Sequence, residues 1–219
     1  IIPVIAAIWC KMAFLRREAM SVNTSPDTEA VLAATRVWLE KAVIGLNLCP
    51  FAKSVYVANQ VRMVVSSAKH VDGFLEDLDR ELELLANPDP AEIDTTLLIH
   101  PTLLPDFLDF NEVVGIAEEA VVEHGLEGVI QIASFHPRFQ FEGTNSDDIS
   151  NYTNRAPYPT LHLIREASLE RALEHVPDPD RIYQRNIETL EKMGLEGWRA
   201  LGIPDGQAAD NAGSNKDPE

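Results

Sequence analysis

The residues able to do chemistry stand where the chain changes direction: a cysteine before a proline, two histidines before prolines, and arginines in a polar, aromatic stretch. Cys49 lies in Gly45-Leu46-Asn47-Leu48-Cys49-Pro50-Phe51-Ala52. Proline suits the first position of a helix, which sets Cys49 at the cap, where the helix dipole favours thiolate. The competing reading is a small buried apolar residue, since free cysteine is among the most buried types. His100 and His136 each end an apolar run and precede a proline, which stops a strand by removing a ladder donor. The imidazole left at the sheet rim can serve as base, ligand or hydrogen-bond donor, or simply satisfy loop backbone. His162, inside an apolar run, reads as structural. His70, His124 and His175 fall at helix ends and read as surface residues.

Residues 135–158 form an unusually long connection, and such loops are uncommon unless functional or disordered. Aromatic residues at both ends argue against disorder. The stretch carries His136, Arg138, Asp147, Asp148, Asn154, Arg155 and Tyr158. Arg155 can fork onto a carboxylate or phosphate. The alternative is a packed Ω-type loop in which Arg155 pairs with Asp147 or Asp148.

Three functions remain open from these residues. In the first, Cys49 is nucleophile and His136 general base, as in a Cys/His-dependent hydrolase or transferase. Arg138 and Arg155 clamp a small anionic substrate, with Asn154, Tyr158 and His100 as further contacts. In the second, His100, His136 and Asp148 hold a metal as two histidines and a carboxylate. In the third, the loop is a recognition surface of a non-catalytic small-molecule-binding or interaction domain. No motif points to a cofactor: the six histidines show no HxxxH spacing, and the two cysteines are too few for a disulfide framework or an iron–sulfur cluster.

The elements that must position these residues follow from periodicity. Ser25-Pro26-Asp27 opens a helix whose inward face carries Val31, Ala34, Trp38 and Ala42, stopping near Gly45-Leu46-Asn47. A second short helix opens at Pro50. Residues 61–67, 95–100, 129–135 and 160–165 read as strands. Between the first three lie amphipathic helices, one through Phe74, Leu78, Leu82 and Leu85, the other through Phe107, Phe110, Val114, Ala117 and Val121, closed by Gly125. Two helices finish the domain, at 168–175 and 180–193. Crossover helices favour a parallel arrangement of the first three strands. The fold expected is therefore α/β: one mixed, largely parallel four-stranded sheet in β-α-β-α-β-β-α order, packed with helices and preceded by an amino-terminal helix. Ligands of such sheets gather at the carboxyl ends of the strands.

At 219 residues the chain suits one buried core. Residues 25–203 read as a single α/β domain. Residues 1–24 read as an amino-terminal extension, poorly ordered or preceding a natural start at Met20, and 204–219 as a disordered acidic tail. With 35 acidic and 18 basic residues the net charge is −17, which repels nucleic acid and anionic membrane surfaces. A local basic pocket for a small anion is compatible with it. The low cysteine content fits a reduced, cytoplasmic setting. The apolar run at residues 1–9 is far shorter than the roughly 20 residues of a membrane span. Oligomeric state is not readable.

Trp38 with 45–52, Thr-Thr-Leu-Leu-Ile at 95–99, Ser-Phe-His-Pro at 134–137 and Asn-Arg-Ala-Pro-Tyr-Pro-Thr-Leu-His-Leu-Ile-Arg-Glu at 154–166 together resemble the family known as domain of unknown function 1415. The resemblance covers about residues 28–201. Ala156 stands where that pattern leads one to expect serine. The resemblance implies a compact, mostly bacterial single domain and supplies no activity.

Overall fold

The computed structural model of the chain describes residues 27–86, 92–174 and 178–206. The expected amino-terminal extension, His175 and most of the expected acidic tail lie outside the described residues. Helix α1, Thr28–Trp38, starts on the Asp27 carboxylate, which accepts from the Glu29 amide, and buries Val31, Ala34, Thr35 and Trp38. It widens into a π-helical turn, Leu39–Ile44, that ends at Gly45 and Asn47. A side chain at Gly45 would set a Cβ 2.4 Å from the Lys41 carbonyl oxygen, a clash that only glycine avoids. Asn47 takes the left-handed conformation that turns the chain toward α2, Ala52–Val57.

Strand β1, Val61–Val65, leads through α3, Val71–Ala86, to β2, Thr95–Ile99. Helix α4, Phe107–Glu123, then leads to β3, Ile130–Phe135. A loop containing a 3-10 turn, Ile149–Thr153, reaches β4, Thr160–Arg165. Helix α5, Glu166–Leu173, and helix α6, Ile182–Ala200, close the described chain.

The strand order is β1-β2-β4-β3, with β1 parallel to β2 and β4 antiparallel to both its neighbours. The expectation of a largely parallel sheet is corrected here: two of the three ladders are antiparallel. The first three strands do share a direction, as crossover helices require. However, the β3–β4 connection carries no helix across a sheet face, so the chain reverses and β4 enters the slot between β2 and β3.

Helices cover both faces. On one, α3 and α4 pack Phe74, Leu78, Leu82 and Phe110 against Leu98, Leu161, Leu163 and Ile130. On the other, α1 packs Val31, Ala34 and Trp38 against Leu97 and Ile99, and Trp198 of α6 adds to the same cluster. The split follows from the pleat, because alternate residues of β2 and β4 face opposite ways. Edge strand β1 is tied to α3 by a two-pronged ion pair, Arg62 Nε to Glu81 Oε2 at 2.7 Å and Arg62 Nη2 to Glu81 Oε1 at 3.0 Å. No helix among the described residues is long and apolar enough to cross a membrane.

Candidate functional site

Both His-Pro pairs perform the same backbone service. His136 is fully buried: its Nδ1 accepts the Arg138 amide at 3.0 Å and its Nε2 meets the Leu104 carbonyl at 3.0 Å. At His100, Nδ1 accepts the Leu103 amide at 2.8 Å and Nε2 meets the Ala68 carbonyl at 2.8 Å. Each ring thus mimics a turn on one nitrogen and anchors a neighbouring loop with the other. Burial holds both below the ordinary imidazole pKa, and neither has a nitrogen left for substrate or metal. No cluster of three or more His, Cys, Asp or Glu side chains able to hold a metal occurs among the described residues, so His100, His136 and Asp148 are not gathered. Asp148 caps the 3-10 turn by accepting the Ser150 amide.

The loop residues are placed separately. Arg138 bonds the Pro105 carbonyl and lies 4.0 Å from Asp106, on the α4 side. Asn154 donates to the Ser134 carbonyl, and Tyr158 is buried in the α1-side cluster. Arg155 pairs with neither Asp147 nor Asp148. Its Nε and Nη2 bond the Phe139 and Ser146 carbonyls at 3.2 and 2.6 Å, and its guanidinium lies 4.2 Å over the Tyr152 ring. Asn151, fully buried, organises this loop: its Oδ1 accepts from the Phe141 amide and Thr144 hydroxyl, while Nδ2 donates to the Asn145 carbonyl.

Cys49 is on the other side of the sheet from His136, and the two are not brought together. Residue 136 packs on Phe107 and Phe110 of α4. Cys49 instead lines a cavity of about 470 Å³ between the α1–α2 arm, α5 and the sheet. Burial pushes its thiol up, outweighing the backbone amides of Phe51 and Ala52. The capped, activated thiolate expected from the sequence is therefore not what the desolvated wall favours.

The same cavity is lined by His162 and Thr95. Thr95 Oγ1 lies 2.6 Å from the Leu163 carbonyl, to which it gives its one proton, and 2.7 Å from His162 Nε2. The Nε2–H must then donate to Thr95, which leaves Nδ1 as a bare lone pair. Nδ1 has no partner among the described residues. The one sealed side-chain polar atom without a partner among them is Thr96 Oγ1, so Nδ1 retains accessible surface, and the ring is part of the cavity wall. Burial lowers the His162 pKa to about 4, and the ring is neutral at pH 7. Most of the remaining wall is apolar, including Val43, Phe51, Leu97, Phe135 and Ile164.

The lining reaches Val61 and Thr95 at the amino ends of β1 and β2, and meets the carboxyl rim, where the sequence directs attention, at Phe135. At that rim the His100 amide donates to the Pro159 carbonyl and the His136 amide to the Asn154 carbonyl. His162 went unrecognised because an inward histidine in an apolar strand resembles a packed one. The signal available was its phase, since it shares a face with Thr160 and Ile164 in a strand otherwise free of ionisable side chains until Arg165.

A family model described as protein of unknown function (DUF1415) matches residues 30–200. The chain belongs to the DUF1415 family. Comparisons with curated proteins and with solved structures find no match. Segments that carry the DUF1415 resemblance supply Trp38, Cys49, Thr95, Phe135 and His162 to the apolar cavity.

Proposed function

We propose that the protein binds a small, mostly apolar molecule in the cavity between the α1–α2 arm and the sheet, with its hydrogen-bond donor on His162 Nδ1. The observation that carries this reading is a neutral imidazole, held in one tautomer by Thr95, with an accessible free lone pair and its ring in the wall of a largely apolar cavity of about 470 Å³. Ligand sites typically combine about 300–1,000 Å³ of apolar wall with a few placed polar groups. A neutral acceptor selects a hydroxyl or N–H on the ligand.

The test is calorimetric titration with 1-naphthol and naphthalene. Naphthol is expected to bind at least several-fold tighter, and His162→Phe to abolish that preference. Equal binding of both probes by the wild type removes the reading.

A second reading is favoured by Cys49 and His162 lining one cavity. In it, Nδ1 takes the thiol proton as sulfur attacks an acyl carbon and returns it to the departing oxygen, after which water cleaves the thioester to a carboxylic acid and restores the thiol. It requires Cys49→Ala to lose turnover of 4-nitrophenyl butyrate, whereas the binding reading requires only that this variant still binds naphthol.

A further inference from the structure

A second cavity, of about 310 Å³, lies on the far side of Trp38, which contributes to both. Three further parts of the chain complete it. The β3–β4 loop supplies Tyr152 and Arg155, helix α6 supplies Trp198 and Arg199, and the segment after α6 supplies Asp205. Tyr152 and Trp198 meet edge to face at 5.0 Å, and the Arg155 guanidinium lies 4.2 Å from the Tyr152 ring centroid. The walls are thus aromatic planes with guanidinium groups beside them.

The two arginines, like Arg185, stand outside the ion pairs that hold five others among the described residues. Arg36, Arg62, Arg80, Arg138 and Arg181 each pair with an Asp or Glu. Arg155 and Arg199 make no ion pair among the described residues, although acids outnumber bases 35 to 18. Arg155 is held rigid by two carbonyls while its Nη1 has no partner among the described residues. Arg199, exposed on the last turn of α6, is free to close on a ligand. Asp205 is the one carboxylate in the lining, so the cavity carries a net charge of +1 from these three groups.

We propose that this cavity binds an aromatic monocarboxylate, its ring against Tyr152 and Trp198 and its carboxylate between Arg155 and Arg199. A benzene-sized guest occupies a cavity of about 150 Å³, so twice that volume admits one or two fused rings with an acid group. Guanidinium forks match carboxylate geometry, and aromatic planes take a flat ring at low entropic cost. The single surplus positive charge matches a monoanion and not a polyphosphate. The site is independent of the apolar cavity and of the function proposed there.

The test uses the full chain and benzoate, with benzamide as the neutral isostere. Indole N–H resonances are followed by NMR, because Trp198 lines this cavity and not the other. Benzoate is expected to shift the Trp198 signal saturably, at least tenfold tighter than benzamide and more weakly as salt rises. Arg199→Gln, an exposed change that leaves the thermal midpoint in place, should weaken benzoate at least tenfold, with Arg199→Lys restoring part. The His162→Phe variant should bind benzoate as the wild type does. Equal affinity for benzamide, or an Arg199→Gln variant that binds benzoate normally, overturns the proposal.

Discussion

His162 shows what a single buried imidazole imposes on the molecule. Its pKa falls from the ordinary 6.5 to about 4 because burial disfavours the charged ring. The unfolded chain therefore takes up this proton first as pH falls, so stability is full above pH 6.5 and declines as the pH drops toward 4. The loss attributable to His162 is about 3 kcal/mol between pH 7 and pH 4. Buried His100 and His136 shift in the same direction and steepen the decline. Urea denaturation at pH 7, 5.5 and 4 should show this slope, and His162→Phe should flatten part of it. A variant as pH-sensitive as the wild type would mean that His162 does not titrate as described. Cys49 and His162 also illustrate how the same burial acts oppositely on two groups. It keeps the thiol protonated and the imidazole unprotonated, so both stand neutral in the apolar cavity.

At the scale of elements, the two cavities depend on departures from regular helix. The π-helical turn after α1 places Val43 and Ile44 in the wall of the larger cavity. In α6, Gly194 adopts φ 65° and ψ 175°, a conformation essentially restricted to glycine. The kink redirects the last turns so that Trp198 and Arg199 face the β3–β4 loop, and Lys41 Nζ holds the following chain by the Leu201 carbonyl at 2.7 Å. A Cβ at Gly194 meets nothing within 4 Å, so the cost of Gly194→Ala is conformational and not steric. That substitution should destabilise by about 2 kcal/mol, a fall in Tm of several degrees, and should move Trp198 emission toward that of an exposed indole. Unchanged Tm and emission would show that the kink is not needed to seat this segment.

For the whole molecule, the surplus of 17 negative charges on 219 residues opposes compaction. Salt screens this self-repulsion, and the described ion pairs, mostly exposed, lose little in return. Raising NaCl from about 0.01 M to about 0.5 M should therefore raise the calorimetric Tm, and a fall would mean that attractive pairs dominate. The same scale separates what was legible from what was not. Helix faces such as Val31, Ala34 and Trp38, strand runs such as 95–99, and the stop at Gly45-Leu46-Asn47 are local patterns set by near neighbours, and they are readable from the sequence. The long β3–β4 loop was legible as ordered and aromatic, though its organiser, Asn151, was not.

What the sequence by itself determined is the set of elements, the acidic charge balance and the DUF1415 membership. Tertiary structure alone decided that β4 enters between β2 and β3, because strand pairing is a long-range choice that no local window contains. It also decided which histidine faces a cavity. His136 and His100 end strands beside prolines, and the backbone groups they satisfy come from residues about 32 positions away. The accessible lone pair belongs to His162, whose partner Thr95 lies 67 residues distant on the neighbouring strand. Hydrogen-bond satisfaction is settled by such distant contacts, and with it the chemistry each side chain has left to offer.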